Sequence, residues 1–106
     1  MRVLLDACVP TGLRSRLPGH EVRTAPEMGW GNLDNGELLA TMTGHFDVLV
    51  TVDKRLPQQQ KIAAGSVGVV VLRANSNRLS DLLPLVPSLL EAVAGLEPGA
   101  VKEVAG

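Results

Sequence analysis

The sequence predicts a three-layer α/β/α domain built on a mainly parallel sheet of four to five strands. Three observations lead there. Nearly continuous aliphatic runs recur along the chain, helix-compatible stretches separate them, and 106 residues hold one domain, residues 1–106. Parallel strands read as unbroken apolar runs because both their faces are covered. Strands alternating with helices form right-handed crossovers on the two sides of such a sheet. A chain of this size buries roughly 65% of the surface it exposes when unfolded, and an apolar content of 45% supplies the core.

Taken in order, Arg2–Leu5 (RVLL) is the first strand. Pro10–Leu17 fits a short helix opened by Pro10 or Thr11. His20–Thr24 (HEVRT) alternates, which places it near an edge of the sheet. Asp34–Thr43 carries an explicit helix start, since Asp34 and Glu37 have the spacing of a capping box. Asp47–Thr51 (DVLVT) is the third strand and Val67–Leu72 (VGVVVL) the fourth, with a weaker helical segment over Leu56–Ala63 between them. Ser80–Leu96 is the longest helix candidate, with Pro84 near its start and Pro87 delaying the regular helix. Val101–Val104 can add an edge strand.

Composition narrows the function classes. The charged fraction of 20% beside that apolar content excludes a disordered chain. Phe46 and Trp30 are the only aromatic residues of the Phe, Trp, Tyr set, so stacking platforms for single-stranded nucleic acid are scarce. A net charge of -1 offers no general attraction to phosphate, and a nucleic-acid role would need a local basic patch. Cys8 is the only cysteine, which rules out an internal disulfide and a multi-cysteine zinc set and suits a reducing compartment. Met1 leads straight into a strand pattern, and no apolar run approaches the ~20 residues of a membrane span. The expectation is a cytoplasmic protein with no membrane partner.

In open parallel sheets the ligand crevice lies beyond the carboxyl ends of the strands. Asp6 follows the first strand, Asp53 follows the third, and Glu37 lies one turn into the helix after the second. If the three converge, they form an oxygen-donor set suited to Mg²⁺ or Mn²⁺, ions that activate water and stabilise charge at phosphorus. Two carboxylates ~4 Å apart repel by about 4 kcal/mol at an effective dielectric near 20, against a total stability of ~5–15 kcal/mol. Clustered acids therefore need a cation, a shared proton or a basic neighbour. Each acid also has a plainer account. Asp6 can cap the turn into the first helix, Asp53 can form the turn before Lys54 and Arg55, and Glu37 completes the Asp34 box without any metal.

The segments VLLDACVP, GHEVRT and FDVLVTVDKRLP, in that order, resemble the small prokaryotic PIN-like proteins, toxin-type ribonucleases, over about residues 2–83. The resemblance implies a PIN-like α/β/α fold and Mg²⁺- or Mn²⁺-dependent endoribonuclease activity, with a metal-activated water cleaving RNA. It matches Asp6 to the first-strand acid, Asp53 to the acid of the T-x-D strand and Glu37 to the helix acid, and implies RNA and an antitoxin protein as partners. Ala7 stands where many relatives carry a second acid, and no fourth acid is evident near Asn75–Asn77. That reduced set keeps open a degenerate PIN-like dimer acting as a protein-interaction module. A response-regulator-like or phosphate-binding domain, which also gathers acids at strand ends, fits less well without an acid pair after the first strand.

Lys54, Arg55 and Asn75 are candidate substrate contacts at the same strand ends, although each also reads as part of a solvated turn. Arg14, Arg16, Arg73 and Arg78 could extend a basic rim. His20 and His45 enter strands and fall at the opposite end from the acids. Cys8 reads as a small buried hydrophobe, and the Met28–Gly31 loop as a lid over the core or a docking element near the acidic rim. The last helix is apolar on more than one face, which points to a homodimer interface.

Overall fold

In a computed structural model that describes residues 1–56 and 67–105, five strands form one sheet in the order β2-β1-β3-β4-β5. The strands are β1 (Arg2–Leu5), β2 (Glu21–Thr24), β3 (Val48–Thr51), β4 (Gly68–Arg73) and β5 (Val101–Ala105), and every adjacent pair is parallel. The alternating HEVRT segment is the edge strand β2, and Val101–Ala105 closes the other edge. The three-layer α/β/α arrangement is thus present, with a wholly parallel sheet. The segment expected to be helical over Leu56–Ala63, and Gln58–Gln60 within it, lie outside the described residues except for Leu56.

Successive residues of a strand face opposite ways, so the aliphatic runs feed two cores. Val3, Leu5, Val48, Val50, Val70 and Leu72 face one, and Leu4, Leu49, Val69 and Val71 the other. The first is covered by a 3₁₀ turn, Thr11–Arg16, through Leu13 and by the carboxyl-terminal helices through Leu82, Leu89 and Val93. The second is covered by α1 (Asn35–Met42) through Leu38 and Met42, together with Phe46 and Leu56. Full burial of each such side chain contributes on the order of 1.5–3 kcal/mol.

Helix α1 begins where the sequence signal puts it. The Asp34 side chain accepts from the Glu37 backbone N–H at 2.8 Å, and the Glu37 side chain accepts from the Asp34 N–H at 3.2 Å. The expected long last helix is instead interrupted. It comprises α2 (Leu79–Leu82), a 3₁₀ turn (Leu83–Leu85) and α3 (Val86–Gly95). Pro84 and Pro87 each occupy the first turn of a new segment, the position where a missing N–H costs nothing. Leu89, Ala92 and Val93 of α3 are buried against the sheet, Leu90 and Val86 are partly buried, and the exposed positions of α3 are Pro87, Ser88, Glu91, Ala94 and Gly95. Large exposed hydrophobic side chains among the described residues are Met1, Met28 and Val101, none of them on that helix. The uncovered apolar face behind the homodimer expectation is therefore not seen.

Gly68 shows how closely β4 meets the end of α3. A Cβ there would overlap Leu96 Cδ2, so only glycine lets Leu96 close the bottom of the core. No helix among the described residues is long and apolar enough to cross a membrane.

Candidate functional site

The strand order decides where the site sits. From β1 the chain passes outward to β2, then returns across β1 to β3 and continues outward through β4 and β5. The direction reverses between β1 and β3, and a crevice opens at such a switch point beyond the carboxyl ends of the strands. Asp6 and Asp53 are the acids that follow those two strands. The Asp6 N–H donates to the Val50 carbonyl at 2.9 Å, which extends the β1–β3 pairing to the position of the acid itself.

Thr51, the last residue of β3, joins the two. It is fully buried, and its hydroxyl donates to Asp6 Oδ2 at 2.7 Å while accepting from the Asp53 N–H at 3.1 Å. The other Asp6 oxygen accepts from the Ala7 N–H at 2.8 Å. The Cys8 Sγ lies 3.6 Å from both Asp6 Oδ2 and Thr51 Oγ1. Burial pushes the Cys8 thiol up from its usual range, and the neighbouring Asp6 charge acts in the same sense, so the sulfur stays protonated at neutral pH.

Asp53 is held from two sides. Its Oδ1 accepts from the Arg55 N–H at 3.0 Å and faces the Arg55 Nε at 3.4 Å, and its Oδ2 accepts from the Asn35 Nδ2 at 3.3 Å. The Arg55 N–H holds the Asp53 carboxyl below the usual carboxylate range, with the Asn35 amide and the Arg55 guanidinium adding to the effect against partial burial. Asp53 is thus ionised at neutral pH. The Asn77 amide donates to the Cys8 carbonyl at 3.0 Å and fastens the loop after β4 to the loop after β1.

The sequence-predicted residues divide accordingly. The Asp6 side chain and the Asp53 backbone share one hydroxyl, that of Thr51. Glu37 is exposed and its carboxylate is turned onto the Asp34 N–H of its own helix end. Among the described residues no three His, Cys, Asp or Glu side chains are grouped so as to hold one metal ion. Lys54 and Arg55 are exposed beside Asp53, and Arg55 is already paired with it. Asn75 is exposed at the carboxyl end of β4 and lines a shallow cavity of about 330 Å³ with Arg73, Ser80 and Asp81. Of the candidate basic rim, Arg14 pairs with Glu27 at 3.0 Å, Arg73 with Glu103 at 2.7 Å and Arg78 with Asp81 at 4.0 Å.

Trp30 packs against the core, as the lid reading has it, but not near the acids. Its ring meets Phe46 edge-on with centroids 5.8 Å apart and His45 at 6.4 Å. Both partners precede β3, so the indole closes the α1-side core at the amino end of that strand, away from the acids. His20 is at the amino end as well, with its Nδ1 3.3 Å from the terminal amine.

Thr51 and Asn35 beside the two acids are residues that sequence reasoning passed over, and Cys8, read there as a small buried hydrophobe, is partly buried with its sulfur against Asp6 and Thr51. Only Thr51 had a signal, as a hydroxyl ending a buried strand two residues before an acid. A concavity of about 840 Å³ runs beside β2 between Thr11, Arg14, His20, Thr24 and Glu27 and contains neither Asp6 nor Asp53. It is open, and its arginine is already neutralised by Glu27. Compared with family models, with curated proteins and with solved structures, the chain matches none.

Proposed function

We propose that this protein is a divalent-metal-dependent ribonuclease of PIN-like type, acting on RNA at the rim formed by Asp6 and Asp53. The observation that carries the reading is the Thr51 hydroxyl, which ties the Asp6 carboxylate to the backbone N–H of Asp53 at the β1/β3 switch point. The bond from the Asp53 N–H is an ordinary strand-end turn, but the same hydroxyl also donates to Asp6 forty-five positions away.

The donor chemistry suits a hard cation. Both acids are partly exposed, and carboxylate oxygens have two acceptor sites each, of which Asp6 Oδ1 and Asp53 Oδ2 each spend one on a protein donor. Mg²⁺ is commonly held by one or two carboxylates and keeps several waters, so two acids suffice for it. Bound there, Mg²⁺ or Mn²⁺ supplies charge stabilisation at phosphorus and an acidified water. The protein's own part is to fix Asp6 through Thr51 and Ala7, to keep Asp53 ionised through Arg55, and to offer Lys54, Arg55 and Asn75 to the RNA backbone at the same end of the sheet. With a net charge of -1, attraction to RNA rests on these few local groups and is strongly reduced by salt.

The test is to incubate the purified chain with structured and unstructured RNA in Mn²⁺ and in EDTA. Cleavage is expected in Mn²⁺ alone, with Asp6→Asn and Asp53→Asn each reducing it by roughly 100-fold or more. Cleavage that survives EDTA, or that both variants retain, would overturn the reading.

A further inference from the structure

We propose that Asn35, and not Glu37, is the residue through which helix α1 contributes to the acidic rim: its carboxamide positions Asp53 and occupies the place of a third metal-site side chain. The inference rests on the metal-dependent reading above and deepens it.

The order of residues at the start of α1 decides which side chain can reach the rim. Asp34 is the N-cap, so Asn35 is the first residue of the helix and Glu37 the third. A capping box draws the third side chain back over the helix end, and Glu37 does this by accepting from the Asp34 N–H at 3.2 Å. Its carboxylate is committed to α1 itself. Asn35 has no such duty within the helix. Partly buried, it reaches across to β3 and donates its Nδ2 to Asp53 Oδ2 at 3.3 Å, eighteen positions along the chain. Among the described residues it is the only side chain of α1 that hydrogen-bonds either rim acid.

Two consequences follow for the rim. The amide settles which oxygen of Asp53 faces the helix, while Arg55 takes the other. It is also neutral, so Asp53 gains a neighbour without the like-charge repulsion that a third carboxylate would bring in the absence of a cation. An amide turned by half a rotation presents its oxygen instead of its nitrogen, and so can serve a cation beside Asp53 as a neutral ligand. A carboxylate at position 35 would raise the site's negative charge, and ligand charge is a main determinant of affinity for hard divalent cations. An acid there also suits the first turn of a helix.

The experiment uses the full chain and two readouts, Mn²⁺ affinity by calorimetry and the melting temperature of the metal-free protein. Asn35→Asp is expected to bind Mn²⁺ about tenfold more tightly than the wild type, and Asn35→Ala about tenfold more weakly, the range typical of groups that orient metal ligands. Glu37→Gln retains the capping acceptor and should leave both readouts within twofold in affinity and within about 1 °C. A purely structural role for Asn35 would lower the metal-free melting temperature without a change in affinity, and would overturn the proposal. So would a Glu37→Gln variant that loses Mn²⁺ binding while both Asn35 variants retain wild-type affinity. If the wild type binds no Mn²⁺ at millimolar concentration, the metal reading falls by itself. In that event, binding gained by Asn35→Asp still supports the juxtaposition with Asp53, and no gain overturns it.

Discussion

Thr51 is the residue on which the rim depends most directly. It has no exposed surface, and its one hydroxyl serves both the Asp6 carboxylate and the Asp53 N–H. Thr51→Val keeps the shape but leaves the Asp53 N–H without its acceptor, which costs about 1–3 kcal/mol for a group out of contact with water. Thr51→Ser keeps the hydroxyl and loses one methyl, about 1 kcal/mol. Denaturant unfolding measures both costs, and amide exchange at Asp53 separates their causes. Exchange should accelerate in Thr51→Val and stay protected in Thr51→Ser; equal acceleration in both would remove Thr51 from its linking role. Much of this was within reach of the sequence. Asp6 and Asp53 were legible because each follows an aliphatic run, and the crevice rule then puts both at one end. Asn35 was not. Its spacing looked like an ordinary helix start, and an acid at position 37 attracted the match to an acidic family pattern, although the capping box that made Glu37 conspicuous is what turns its carboxylate away.

The elements were legible in proportion to how locally they are determined. Strands β1, β3 and β4 announce themselves as aliphatic runs, and β2 as an alternating edge. The start of α1 is written in four residues, and both hydrogen bonds of the box form. The Asp34→Ala variant removes the side-chain acceptor of the Glu37 N–H and should cost about 1 kcal/mol; a change below about 0.3 kcal/mol by urea titration would show that packing of Leu38 and Met42 alone holds the helix in place. The break within residues 79–95 was less legible, because apolar periodicity continues through it. Two prolines three residues apart each suit the first turn of a helix, and the chain uses both by restarting rather than by waiting until after Pro87. The position of Trp30 was not legible either, since a loop between glycines carries no periodicity, and only the contact with Phe46 places it.

The sheet is the shared wall of two cores, and this fixes how the molecule should respond to damage on either side. Met42 in α1 fills the core behind Leu4, Leu49 and Val71, and Val93 in α3 fills the one behind Leu5, Val50 and Leu72. The two side chains lie on opposite faces of a layer whose spacing from each neighbour is about 10 Å, and the two cores have no residue in common among the described residues. Met42→Ala should cost about 3 kcal/mol and Val93→Ala about 2 kcal/mol. Beyond about 7–10 Å, effects without shared partners add to within about 0.5 kcal/mol, so the double variant should lose about 5 kcal/mol. That is close to the whole stability of a small domain, and the double variant is best followed in a stabilising salt. All three variants should unfold in one transition by circular dichroism and by Trp30 fluorescence, because every strand of the sheet contributes residues to the wall between the cores. Two separated transitions would mean that the α1 face can melt alone, which would free the Asn35 contact to Asp53 while leaving Asp6 and Thr51 in place. An excess cost in the double variant would instead mean that strain in one core reaches the other through the sheet, and with it the spacing of the two acids at its edge.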